Sequence, residues 1–250
     1  CFAHSIRCYL SPKISDVILM GSERIHLFDT PLLVAKNMGL SIEQRAAKRI
    51  LDIVVSALGI IVSSPIMLIA ALCVKLYDGG PVFYFQERLT LGGRPFKICK
   101  FRSMCVDSEK NGARLASKHD SRITPVGHVL RNLHLDELPQ LFNVFMGDMS
   151  LVGPRPERDV IMQEYEKEIP EFHYRLKVKA GLTGYAQVYG KYNTTPYDKL
   201  KLDLFYIENY SFLLDIKLLF MTVKIFFQKE VSEGVDDDQK NALKDSQEEK

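Results

Sequence analysis

From Ile53 to Val74 the chain runs 22 residues without a charge, IVVSALGIIVSSPIMLIAALCV, and no other stretch limits its fold so tightly. A hydrocarbon core about 30 Å thick takes roughly 20 apolar residues as a helix, so the run has the length of a membrane segment. It predicts a membrane helix over residues 50–76. Two features argue against a simple span. Ser64-Pro65 lies at the centre, where proline removes a backbone hydrogen bond and kinks the helix. Basic residues flank both ends, Arg45, Lys48 and Arg49 before and Lys75 after, so charge bias names no inside and outside. A plain transmembrane span and a buried soluble helix are the alternatives. Nothing polar relieves either face, which weighs against the second.

Downstream, His134 to Pro156 reads HLDELPQLFNVFMGDMSLVGPRP. It opens on adjacent carboxylates, Asp136 and Glu137, passes through an apolar segment and closes on a turn around Arg155. Proline is tolerated in a helix's first turn, so Pro139 places Asp136 at or near an N-cap, with Leu141, Phe142 and Phe145 on the apolar face. Free N–H groups and the positive dipole end make a helix start a place for phosphate. Two carboxylates there can hold Mg²⁺, attack phosphorus, or do both. The plainer alternative is an acidic cap followed by a surface turn.

LDELPQLFNVFMGDMSLVGPRP closely resembles the signature of the bacterial sugar transferases, or monotopic phosphoglycosyl transferases. The similarity runs in several blocks from about Arg45 to Phe227. Lys100-Phe101-Arg102-Ser103-Met104 matches the family's KFR(S/T)M block. Residues 178–190, VKAGLTGYAQVYG, match its RPGITGWAQVNG block, with Ala180 in place of proline and Tyr185 in place of tryptophan. LKLDLFYIEN (200–209) also matches, with Asp203 as the family-type acid, although a structural ion pair would explain it equally well.

The resemblance implies an α+β, mostly helical monotopic membrane protein. Its apolar run would be a re-entrant helix broken at Ser64-Pro65, accompanied by interfacial amphipathic helices and a small β-hairpin. It implies an enzyme at the cytoplasmic face of the bacterial inner membrane that moves a sugar-1-phosphate from a UDP-sugar to a polyprenyl phosphate. Asp136 would attack the sugar-bearing phosphorus and expel UMP, and polyprenyl phosphate would then take up the phosphosugar. Asp136 and Glu137 would hold Mg²⁺. Lys100, Arg102, Arg131, Arg155 and Gln187 would bind phosphate and substrate. Two other readings remain: a catalytically silent membrane anchor for a glycan-assembly complex, and an ordinary glycosyltransferase that releases UDP.

Residues 41–230 form the expected catalytic domain. VFYFQERL and PFKICKFRSM read as a hairpin around Gly92-Gly93, and Glu157–Glu168 as a charged helix ended by Pro170. SFLLDIKLLFMTVKIFF (211–227) reads as an interfacial helix or, as close competitor, a core helix. Residues 106–121 read as polar and mobile. In residues 1–40, SDVILM and HLFDTPLLVA read as strand pieces from the end of an upstream nucleotide-binding-like domain, or as an arm packing on the main domain. Opening on Cys1 rather than Met, the chain reads as part of a longer protein.

The net charge is +2, but the stretch from Lys229 to Lys250 has eight acids and four bases, leaving +6 on the rest. A basic body suits phosphates and a lipid surface. No zinc-finger or aromatic platform favours nucleic acid, which is not expected as a partner. The tail, 231–250, reads as acidic and disordered. Cys1, Cys8, Cys73, Cys99 and Cys105 lack metal-type spacing and read as free thiols. A homo-oligomer stays open.

Overall fold

The computed structural model describes residues 11–27, 30–34, 40–106, 120–191 and 194–226. Helix α1 (Ile14–Met20) leads into a hairpin of β1 (Glu23–Leu27) and β2 (Thr30–Val34), followed by the long helix α2 (Ile42–Asp78). Strands β3 (Phe83–Leu89) and β4 (Pro95–Phe101) come next. Helix α3 (Pro125–Asn132), a 3-10 turn (Leu135–Glu137), α4 (Gln140–Met146) and β5 (Ser150–Val152) carry the middle of the chain. Then come α5 (Asp159–Glu168), a 3-10 stretch (Pro170–Lys177), β6 (Gly181–Thr183), α6 (Tyr185–Tyr189), α7 (Pro196–Glu208) and α8 (Phe212–Phe226). The architecture is mixed and mostly helical.

Helix α2 starts on a reciprocal cap. Ser41 Oγ accepts from the Gln44 N–H at 3.2 Å, and Gln44 Oε1 accepts from the Ser41 N–H at 2.9 Å. It ends at Gly79, whose φ of 71° suits glycine. Its 37 residues would extend about 55 Å if straight, and Pro65 lies inside it without ending it. Leu58, Ile61, Val62, Leu68, Ile69, Leu72 and Leu76 are exposed, so the helix is long and apolar enough to cross a membrane by length and composition.

One stripe of α2 follows the rest of the fold along nearly its whole length. Lys48 Nζ donates to Asp215 Oδ2 on α8 at 2.6 Å and to the Tyr206 hydroxyl on α7 at 3.0 Å. Asp52 accepts from Ser150 Oγ at 3.0 Å and from the Leu151 N–H at 2.9 Å. Arg49 donates to the Val144 and Phe145 carbonyls at 2.8 and 2.7 Å, capping the end of α4. Beyond Pro65, Met67, Ala70 and Val74 pack with Phe101 and Leu130. Asp78 then pairs with Arg102, at the far end of β4.

Strands β3 and β4 pair antiparallel from Phe83↔Phe101 to Leu89↔Pro95, with Gly92 and Gly93 at positive φ in the turn, as the sequence predicts. Strands β5 and β6 are parallel, Ser150 opposite Gly181 and Val152 opposite Thr183. The main core gathers Val144, Met149, Val152, Phe172, Leu200, Leu204, Tyr206 and Leu218.

Three local expectations are corrected. SDVILM belongs to a helix, because Ile14 and Val17, three residues apart, bury one face of α1 against the core shared with α7. Asp136 is not at the N-cap of α4: it lies in the separate 3-10 turn, and Pro139 occupies the cap position. His134 at φ 53° ends the run of α3 and starts that turn. On α4, Leu141 is buried together with Val144, whereas Phe142 and Phe145 are 38% and 45% exposed. Helix α8 carries both expected faces. Asp215 and Leu218 are buried, while Leu213, Phe220 and Val223 are exposed beside Lys217 and Lys224. Residues 107–119, the tail after Phe226, Cys1 and Cys8 lie outside the described residues; Cys73, Cys99 and Cys105 are free thiols.

Candidate active site

The site forms where β4, the 3-10 turn and the turn after β5 meet. Thr124 caps α3, accepting from the Gly127 N–H at 2.9 Å, and α3 delivers Arg131, whose Nε donates to Ser103 Oγ at 2.8 Å. Gly153 sits so close to the β6 side that a Cβ there would collide with the Lys179 carbonyl. Its N–H donates to the Thr183 carbonyl and the Gly181 N–H to the Pro154 carbonyl, each at 2.8 Å. Pro154 and Pro156 then fix Arg155 between them.

Glu137 is the electrostatic centre. Lys100 Nζ and Arg155 Nη2 both donate to its Oε1, at 2.7 and 3.0 Å. Burial pushes the Glu137 carboxyl up, but Arg155 and Lys100 outweigh it and hold the group well below the usual carboxylate range. The same pairing raises Arg155 above its ordinary value.

Asp136 is the opposite case. It is 9% exposed, and among the described residues no hydrogen bond reaches its carboxylate. Burial and the neighbouring Glu137 charge raise it above the ordinary aspartate value, opposed by Lys100, Arg131 and His134. A carboxylate without hydrogen-bond donors keeps its lone pairs available for a metal or an electrophile.

The remaining predicted residues fall in different places. Arg102 pairs with Asp78 at the end of α2, holding that carboxyl below the usual range. Gln187 lies on α6, near enough to Gly184 that its Oε1 would come within 2.6 Å of a Cβ there; both its amide atoms are buried without a hydrogen-bond partner. Asp203 forms a buried ion pair with Arg175 at 2.8 Å, and burial, opposed by Arg175, pushes its carboxyl up to about 6. Sequence reasoning passes over Arg175 entirely and gives Arg88 no role beyond its place in the VFYFQERL strand. It also treats Lys48 only as a flanking charge. An acid in an apolar helix, as Asp215 is, demands a buried partner, and that is the available signal.

Among the described residues no cluster of three or more His, Cys, Asp or Glu side chains could hold a metal ion. Asp136 and Glu137 fit a weaker arrangement. Both cations on Glu137 use Oε1, so the pair can still offer oxygens to a hard cation whose shell is completed by substrate phosphates and water.

A sequence model of the family described as "Bacterial sugar transferase" matches residues 43–229. The UDP-N-acetylgalactosamine-undecaprenyl-phosphate N-acetylgalactosaminephosphotransferase of Aeromonas hydrophila is 45% identical over 180 residues, 71% of this chain and 43% of that protein. The UDP-glucose:undecaprenyl-phosphate glucose-1-phosphate transferase of Klebsiella pneumoniae is 42% identical over 208 residues, 81% of this chain and 43% of that protein. The protein of the same description from Caulobacter vibrioides is 38% identical over 229 residues, covering 86% of this chain and 84% of that protein. The chain spans less than half the length of the first two.

Proposed function

The chain belongs to the bacterial sugar transferase family, and from that membership we propose that it transfers a sugar-1-phosphate from a UDP-sugar to a polyprenyl phosphate such as undecaprenyl phosphate. The product would be a polyprenyl-diphosphate-sugar that begins a surface glycan. The observation that carries this reading is the division of labour in the dyad. Glu137 has two cations on one oxygen, while Asp136 beside it accepts no hydrogen bond from the described residues and is the freer nucleophile.

In the first step an Asp136 oxygen forms a bond to the sugar-bearing phosphorus, and the bond from that phosphorus to the UMP oxygen breaks. UMP carries the electron pair away. In the second step a polyprenyl phosphate oxygen attacks the same phosphorus, and the bond to Asp136 breaks, restoring the carboxylate. Lys100, Arg131 and Arg155 neutralise the charge spread over the phosphoryl oxygens. Mg²⁺, held by Asp136 and Glu137, would supply further charge neutralisation to the diphosphate.

The second substrate is a lipid, and the exposed apolar side of α2 suits association from one face of the inner membrane, the cytoplasmic one. The rest of the fold touches α2 both before the apolar run, through Lys48 and Asp52, and after Pro65, through Met67, Ala70 and Val74, so a spanning orientation would draw that packed polar body toward hydrocarbon. Incubation in nanodiscs with undecaprenyl phosphate and a panel of UDP-sugars tests the function. Release of UMP is expected with at least one sugar; release of UDP instead, or of neither, overturns the reading.

A further inference from the structure

Arg155 must reach Glu137 from a turn that its own side chain does little to hold, since that side chain is 51% exposed. Its aim has to come from the main chain. Two arginines supply it at consecutive carbonyls. Arg175 Nη2 donates to the Arg155 carbonyl at 3.1 Å, and Arg88 Nη1 donates to the Pro156 carbonyl at 3.2 Å. The first comes from the 3-10 stretch before β6, the second from β3.

Both arginines are braced from behind. Glu157 lies 3.8 Å from Arg88 Nη1 and 3.6 Å from Arg175 Nη1, joining the two. Asp203 pairs with Arg175 at 2.8 Å. Arg88 Nη2 donates to Gln86 Oε1 at 2.6 Å, and Gln86 Nε2 donates to the Tyr84 hydroxyl at 2.9 Å. Main-chain bonds close the cradle: the Leu89 N–H donates to the Glu157 carbonyl at 3.0 Å, beside the Gly181-to-Pro154 bond.

We propose that Arg88 and Arg175 are positioning residues, which hold the Arg155 and Pro156 carbonyls and so aim the Arg155 guanidinium at Glu137 and at the diphosphate entering there. This rests on the transferase reading above. A guanidinium suits the task because its rigid fork addresses a carbonyl and a second acceptor in fixed directions; an ammonium is a single point of charge. Arginine-to-lysine substitution therefore keeps the charge beside Glu157 and loses the geometry.

The test is a double-mutant cycle on the full chain in nanodiscs, read by UMP release. Arg88→Lys and Arg175→Lys should each lower kcat/KM roughly tenfold, the scale of one charged hydrogen bond. In an Arg155→Ala background each should cost less than about twofold, since the aim no longer matters. Amide hydrogen exchange gives a reading independent of activity. The segments around residues 153–158 and at Leu89 should exchange faster in the lysine variants, with the rest of the core unchanged. Equal losses in both backgrounds, or faster exchange throughout the core, would overturn the proposal and make the arginines supports of stability. Arg175 shares a buried ion pair with Asp203, so if Arg175→Lys fails to fold, Arg88→Lys alone decides. Should the unsubstituted protein release no UMP from any UDP-sugar, the transferase reading fails. Hydrogen exchange then decides the cradle alone: local acceleration upholds it, and uniform or absent change overturns it.

Discussion

The Ser64 hydroxyl donates to the Ile61 carbonyl at 2.8 Å, filling the acceptor that Pro65, lacking an N–H, leaves without its backbone donor. The Ser63 hydroxyl donates likewise to the Gly59 carbonyl at 2.7 Å. Within lipid such compensation makes a proline tolerable, because no water can satisfy the freed carbonyl.

Replacing Ser64 with Leu and Pro65 with Ala should straighten the middle of α2 and favour a spanning orientation. The measurement is labelling by a membrane-impermeant thiol reagent in intact cells, on single cysteines near Ile42 and near Asp78 in a background without the native thiols. With Ser64 and Pro65 in place both positions should label only after lysis. Labelling of either from outside would mean that the native helix spans.

Asp136→Asn should abolish transfer, because an amide cannot form the acyl phosphate. Incubation of the unsubstituted protein with a UDP-sugar alone should leave a phosphosugar adduct visible by intact mass and located to Asp136. A fully active Asp136→Asn variant would assign the attack elsewhere.

Glu137→Gln should lower turnover and weaken the response to Mg²⁺, since a hard cation loses one anionic ligand and Lys100 and Arg155 lose their shared carboxylate. Chelation by EDTA should silence the unsubstituted enzyme and added Mg²⁺ should restore it. Turnover that persists in EDTA would give the two carboxylates a role without metal.

Lys48→Met should destabilise the fold by about 3–5 kcal/mol, because Asp215, fully buried, would keep its charge without the opposite one. The paired change Lys48→Met with Asp215→Leu should recover most of that loss. Thermal unfolding in detergent measures both, and simple addition of the two single effects would refute the coupling.

What is legible in the sequence is local. The charge-free run, the alternation on either side of Gly92-Gly93 and the adjacent carboxylates each declare themselves within one element. What stays hidden depends on distance. Lys48 and Asp215 are 167 positions apart, and Arg175 meets the Arg155 turn only after β5 and β6 pair. SDVILM is too short for its pattern to separate strand from helix, and packing against α7 decides it. The dyad's turn lies a few residues from its expected place because the positive φ of His134 starts a separate 3-10 turn before Pro139. On sequence alone Asp203 reads equally as the family-type acid or as a structural ion pair, and its contact is with Arg175.

Leu135 and Leu138 border the dyad and pack in the same cluster as Met67, Ala70 and Val74 of the long helix. Protein packing therefore fixes the position of the carboxylates relative to the long apolar helix, and with that helix in a bilayer, as proposed, it would also set their depth. A lipid carrier brings its phosphate to the bilayer surface whatever the number of its isoprene units. On the proposed transferase reading, the enzyme would meet the charged head of its acceptor at a fixed height and leave the tail unmeasured, so carriers of very different length should serve it almost equally well.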